Sequence, residues 1–150
     1  MAFDVNVRER ILRPVSQVFT AVVEPAQMSR YFISKGSGKL EAGKEVTWEF
    51  ADVGTSVKIH VLEVIKDKSI VYESKALGDL IRTTIRFDAD GSEATVVTIT
   101  DSSFPLTDEG VHRALGQNAG WTYTLCGLKA YLQFGINLRT GLNKRLTDVD

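Results

Sequence analysis

A single cysteine, Cys126, occurs in 150 residues. One thiol excludes an intrachain disulfide and supplies too few thiolates for a structural zinc site, so Cys126 reads as a small residue packed on a helix. Histidine is nearly as scarce. His60 and His112 lie far apart, with no carboxylate at metal-ligand spacing, which argues against a zinc or iron centre. Neither sign of charge is in excess: the formal net charge is -1, with Lys and Arg scattered, so no bulk attraction draws the chain to nucleic acid. No apolar run approaches the roughly 18 residues a membrane span needs. The opening MAFDVNVRER also carries charge where a signal peptide would be apolar, so the expected location is cytoplasmic, away from membranes. There is no nucleophile elbow, HExxH motif or phosphate-cradling glycine loop, because Gly36 and Gly38 are isolated and no helix follows them directly. Neither catalytic residues, metal nor cofactor are therefore expected.

What is present is a patterned chain, 43% hydrophobic and 25% charged, long enough to bury one sizeable core as one domain over residues 1–150. Phe3, Val5, Val7 and Ile11 alternate with polar residues, the period of a half-buried strand. Pro14 ends that strand and suits the opening of a helix bearing Val15, Val18, Phe19 and Val22, which Pro25 stops. A second short helix, Ala26 to Phe32, presents Met28, Tyr31 and Phe32, and glycine-bearing Ser34–Lys44 reads as a loop. Strands follow. Val46, Trp48 and Phe50 alternate, then Val57, Ile59 and Val61 after a turn at Asp52–Gly54, then SIVYES, then Ile81, Thr83, Ile85 and Phe87. His60 shares the parity of Lys58 and faces water. Asp90-Gly91 marks a hairpin into a last strand, Thr95 to Asp101. Short turns imply antiparallel pairing with one face buried. The tail at 143–150 is polar enough to fray.

The stretch from Gly116 to Arg139 reads as one long helix. Trp121, Leu125, Leu128, Leu132 and Ile136 share a core-facing side, and Tyr123, Gly127, Ala130 and Phe134 form a thinner second seam. The polar segment before it, Thr107 to Asn118 with His112, reads as a lid. A helix this long needs a partner for its wide stripe, so the class is α+β: a curved antiparallel sheet around a long C-terminal helix, with two short helices after the first strand.

In that order the residues carry a resemblance. Arg13-Pro14-Val15 with Val18-Phe19, Glu24-Pro25, Tyr31-Phe32, Tyr72, Thr98 through Phe104, Gly120-Trp121, Leu128 through Leu132 and Gly135 through Arg139 span nearly the whole chain. They resemble the helix-grip fold of the START-like (SRPBCC, or Bet v 1-like) superfamily and, more closely, the activator of Hsp90 ATPase homologue 1-like family. Tyr31 stands where a Trp is common, and Asp101 where a His or Glu often ends the strand. The resemblance implies an apolar pocket between sheet and helix and implies no shared catalytic motif.

If each strand keeps its apolar row inward, Trp48, Phe50, Ile59, Val61, Ile85, Phe87, Val97 and Ile99 face Trp121, Leu125, Leu128 and Leu132. Tyr31, Phe32 and Trp121 then form the mouth of a cavity for a small hydrophobic molecule. The plainer reading of the same row is packing. Asp101 either points its carboxylate at the pocket end or, more plainly, caps the Ser102-Ser103 turn. Three functional classes follow. The first is non-catalytic binding of an apolar small molecule. The second is an interaction module, either a homodimer through the thin seam or, by weak family analogy, a chaperone contact, the activator having a further domain for which this chain leaves no room. The third is a cyclase-like or hydrolytic enzyme, as some members of the superfamily are, with Asp101 or His112 important.

Overall fold

The computed structural model describes residues 1–75 and 78–140. In order these form β1 (Ala2–Ile11), α1 (Val15–Val23), α2 (Pro25–Met28), β2 (Lys35–Gly36), β3 (Glu45–Phe50), β4 (Thr55–Ile65), β5 (Ser69–Ser74), β6 (Ile81–Ala89), β7 (Thr95–Pro105) and α3 (Asp108–Phe134). The strands make one seven-stranded antiparallel sheet in the order β1-β7-β6-β5-β4-β3-β2. Period-two patterning decides its faces: Val5, Val7 and Ile11 of β1 are buried, while Asn6, Arg8 and Arg10 between them are exposed. Register slips between Phe3 and Val5 in β1 and between Val61 and Glu63 in β4 mark bulges, which add twist and bend the sheet around the helix. At the β6–β7 hairpin, Gly91 takes a positive φ of 74°, and the Asp90 amide donates to the Ala94 carbonyl at 2.8 Å.

The two short helices carry the chain from one edge of the sheet to the other. Pro25 stops the first, because it cannot donate to the ladder, and opens the second, where its missing N–H costs nothing. Val18, Phe19, Ala21, Val22 and Val23 of α1 are buried, and Phe19 meets Phe87 edge-on at 5.3 Å between ring centres. The second helix ends at Met28, and turns carry the backbone onward, so it is shorter than the Ala26–Phe32 span expected. Within the expected loop, β2 pairs Gly36 with Trp48.

The long helix begins earlier than its apolar stripe suggested. Thr107 caps it by accepting a hydrogen bond from the Gly110 amide at 3.1 Å, and Asp108 and Glu109 put negative charge in the first turn, where the helix dipole favours it. Thr107–Asn118, expected as a separate polar lid, is therefore the cap and opening turns of α3. The helix also stops sooner than Arg139. Gly135 adopts a left-handed φ of 66°, and Ile136 donates back to the Ala130 carbonyl, closing the last turn. Ile136, placed on the stripe by the sequence, is off the helix and 52% exposed. Trp121, Leu125 and Leu128 do face the core, and α3 packs across β1 and β7.

Three further expectations are corrected. The last strand runs on to Pro105 instead of ending at Asp101. Cys126 is exposed, on the helix face away from the sheet. The thin seam is covered by the chain itself at Gly127, where a Cβ would stand 3.1 Å from the Tyr31 carbonyl oxygen; Tyr123 and Phe134 on the same row remain exposed. The tail at 143–150 lies outside the described residues.

Candidate ligand cavity

Between the sheet and α3 lies a cavity of about 230 Å³ that is partly open to solvent. The aromatic side of it is a continuous cluster. Phe32, just after α2, meets Trp48 at 5.2 Å, Phe50 at 5.3 Å and Trp121 at 5.6 Å between ring centres, and Trp48 meets Tyr72 at 5.4 Å. Edge-on and tilted packing of this kind is what the ring quadrupoles favour, and it leaves the wall uneven, not flat. Val57 and Ile59 of β4 add aliphatic surface, while Ser74 and Thr83 bring hydroxyls from the inward faces of β5 and β6. The helix contributes Gln117, Gly120, Tyr123 and Thr124, with exposed Gly120 and Tyr123 at the rim. Arg139 completes the lining.

Arg139 reaches the cavity because Gly135 reverses the chain beyond α3. The returning segment is tied down by the Tyr123 hydroxyl, which donates to the Leu138 carbonyl at 3.0 Å. The guanidinium then bonds one oxygen of Asp52, in the β3–β4 turn, through Nε at 2.8 Å and Nη2 at 2.6 Å. It also lies 5.8 Å from the ring centres of both Phe50 and Tyr123.

Beneath the cavity floor sits Asp101, with no exposed surface at all. Its Oδ1 accepts from the Thr83 hydroxyl at 2.6 Å, and its Oδ2 accepts from Trp121 Nε1 at 2.7 Å and Gln117 Nε2 at 2.8 Å. Three donors thus converge on one buried carboxylate from β6 and α3, and all three side chains line the cavity. Asp101 therefore does not cap the Ser102-Ser103 turn; it joins helix to sheet.

The remaining residues singled out from the sequence divide in two. Tyr31, Ile85, Ile99, Leu125 and Leu128 lie deeper, around a second void of only about 20 Å³, and Val61 and Phe87 are packed core. Tyr31 is not at a mouth: it is 3% exposed, stacks on Tyr131 at 6.0 Å, and donates its hydroxyl to the Ala21 carbonyl. His112 is exposed on the early turns of α3 and is not part of the lining. Sequence reasoning passed over Tyr72, Ser74 and Thr83 as site residues, although each shares inward parity with buried Ile70 or Ile85; polar groups on an apolar row were the available signal. Among the described residues, no three of His, Cys, Asp and Glu gather as metal ligands, and no helix is long and apolar enough to cross a membrane.

Burial holds the Tyr31 phenol well above the ordinary value near 10, with Tyr131 adding to it; Tyr72 is raised by burial first and by the Asp101 charge second, against a smaller opposing pull from Thr83. A folded-state pKa above the unfolded one means that stability is intact below pH 10 and is lost as pH rises beyond it. The urea midpoint should stay level to about pH 9 and then fall, with up to about 1.4 kcal/mol per pH unit for each of the two phenols. Tyr31→Phe and Tyr72→Phe should flatten the fall; equal midpoints for the parent protein at pH 8 and pH 11 would contradict this.

The sequence profile described as activator of Hsp90 ATPase homolog 1-like protein matches residues 13–133, most of the chain. The chain belongs to that family. Its fold is the family's helix-grip arrangement, and solved structures repeat it. Protein SSP2350 from Staphylococcus saprophyticus superposes with a TM-score of 0.80 at 28% identity, over 91% of this chain and 96% of that one. DynU16, a protein of the dynemicin biosynthetic locus, gives 0.77 at 24% identity over 89% of this chain and 48% of its own, so this family member spans about half of DynU16. The Aha1 dimer from Colwellia psychrerythraea gives 0.74 at 19% identity, over 88% and 97%. The last two likenesses are of fold. No curated protein sequence matches the chain.

Proposed function

We propose that the chain binds a small, mostly apolar molecule in the cavity between the sheet and α3, without transforming it. The observation that supports this is the cavity itself, since a core this well filled elsewhere leaves about 230 Å³ open behind an aromatic wall. An engineered apolar cavity of roughly 150 Å³ holds benzene, so this one has room for one or two rings or a branched chain of similar bulk. Phe32, Trp48, Phe50, Ile59 and Trp121 would supply contact area, and Ser74, Thr83 and Thr124 orientation. Native mass spectrometry and thermal shift against short fatty acids and one- and two-ring aromatic metabolites should find a ligand that raises the melting temperature by several degrees, as binding to the folded state alone requires. A panel in which nothing binds would count against the reading.

A second reading, self-association, is supported by a different observation. Tyr123, Phe134, Ile136 and Leu138 leave exposed apolar surface around the end of α3, and a protein of the same fold from Colwellia psychrerythraea is described as a dimer. Sedimentation at increasing concentration decides it; a monomer throughout removes it. Contact with a chaperone rests on the family name alone.

A further inference from the structure

The cavity's lining includes one charged side chain, Arg139, whose charge is balanced by Asp52 but whose donors are only partly engaged. Nε and Nη2 both bond the same oxygen, Oδ2 of Asp52, at 2.8 and 2.6 Å. A guanidinium carries five N–H groups. Two are thereby engaged, and no further side-chain hydrogen bond of Arg139 is found among the described residues, so the Nη1 edge keeps its donors. Phe50 and Tyr123 hold the group in place, the Tyr123–Leu138 bond anchors its backbone, and only 16% of the side chain is exposed. Fixed, partly desolvated and offering spare donors, this is the arrangement in which a guanidinium grips a carboxylate.

The part of the lining formed by Thr83, Gln117 and Trp121 has the reverse character. Asp101 lies under its floor, and no cation is paired with it among the described residues. An anionic group placed there would meet like charge across a thin layer of side chains. An acid is therefore best placed with its apolar body against Phe32, Trp48 and Trp121 and its charge toward Arg139, whose cation offsets the Asp52 carboxylate there while Asp101 has no such counter-charge among the described residues.

Building on the proposed binding function, we infer that the cavity selects a compact aromatic acid of one or two rings, whose carboxylate is received by Arg139. Volume limits the body to about two fused rings by comparison with the benzene-sized cavity above. Asp52 orients the guanidinium and does not saturate it.

The test compares 2-naphthoate with naphthalene, the same ring system without the acid, by quenching of Trp48 and Trp121 fluorescence in the full chain. The parent protein should bind 2-naphthoate at least about 10-fold more tightly than naphthalene, in line with one charge-assisted bond. Arg139→Met should abolish that preference, and a cooperative urea transition shows that the variant is folded. Arg139→Lys should retain part of it. Equal binding of both probes by the parent protein overturns the assignment of an acid, and a preference that survives in Arg139→Met overturns the assignment of Arg139. If neither probe binds, the inference is overturned, while the proposed function is decided separately by the wider ligand panel.

Discussion

Replacing Asp101 by alanine should lower stability by about 3–5 kcal/mol, the order expected when three buried donors lose their common acceptor. The carboxylate is the common acceptor for Thr83 of β6 and for Gln117 and Trp121 of α3. Without it three donors are left facing one another, each losing a bond that folding had exchanged for hydration. For a chain of this length the melting temperature should drop by roughly 10 °C. Asp101→Asn should fall between, since the amide keeps one acceptor but turns a second donor toward groups that are themselves donors. Urea and thermal unfolding measure both. A loss below about 1 kcal/mol for the alanine variant would mean that water from the cavity reaches the orphaned groups.

The second large effect is expected from a methyl group. Gly110 lies in the first turn of α3, and a Cβ there would sit 1.9 Å from the Pro105 carbonyl oxygen, a backbone atom with no rotamer to yield. Gly110→Ala should therefore displace the helix start from the end of β7 and cost about 3 kcal/mol, at the upper end for overpacking. Gly116, two turns on, meets nothing within 4 Å at the same virtual atom. Gly116→Ala should stabilise by up to about 1 kcal/mol, because alanine has less backbone freedom to lose. Opposite signs at two glycines of one helix separate the steric effect from helix propensity. Equal effects would remove the argument from close approach.

Legibility in the sequence followed the physical signals available. Alternation along Val46–Phe50, Val57–Val61 and Ile81–Phe87 announced strands and their inward faces, because a half-buried sheet imposes period two on its own residues. The stripe Trp121, Leu125, Leu128 announced the helix for the same kind of reason. The first eight residues of α3 were harder, since Asp108 to Leu115 carry the polar composition of a loop; the deciding feature was a cap, Thr107 with acids behind it, which is local chemistry and not periodicity. The near end of the cavity could be read from Phe32, Trp48 and Trp121, whose size makes them wall or core wherever they fall. Arg139 could not be read at all, because its place depends on a chain reversal at Gly135 and on an aspartate 87 positions earlier. Asp101 was read as one of two local choices, while its partners come from elements brought together only by the sheet.

The pairing of β1 with β7 has a consequence for how the protein is made. Ile11 lies opposite Thr95, and Ala2 opposite Pro105. During synthesis the apolar row of Val5, Val7 and Ile11 must wait for a strand that emerges roughly 4–17 s later at ordinary elongation rates. The meander from β3 to β6 needs no such wait, being joined by neighbours in sequence, and it can assemble as it leaves the ribosome. β1, translated before the meander, is thus among the last to find its place, and the interval before it does is when the nascent chain is most open to wrong partners.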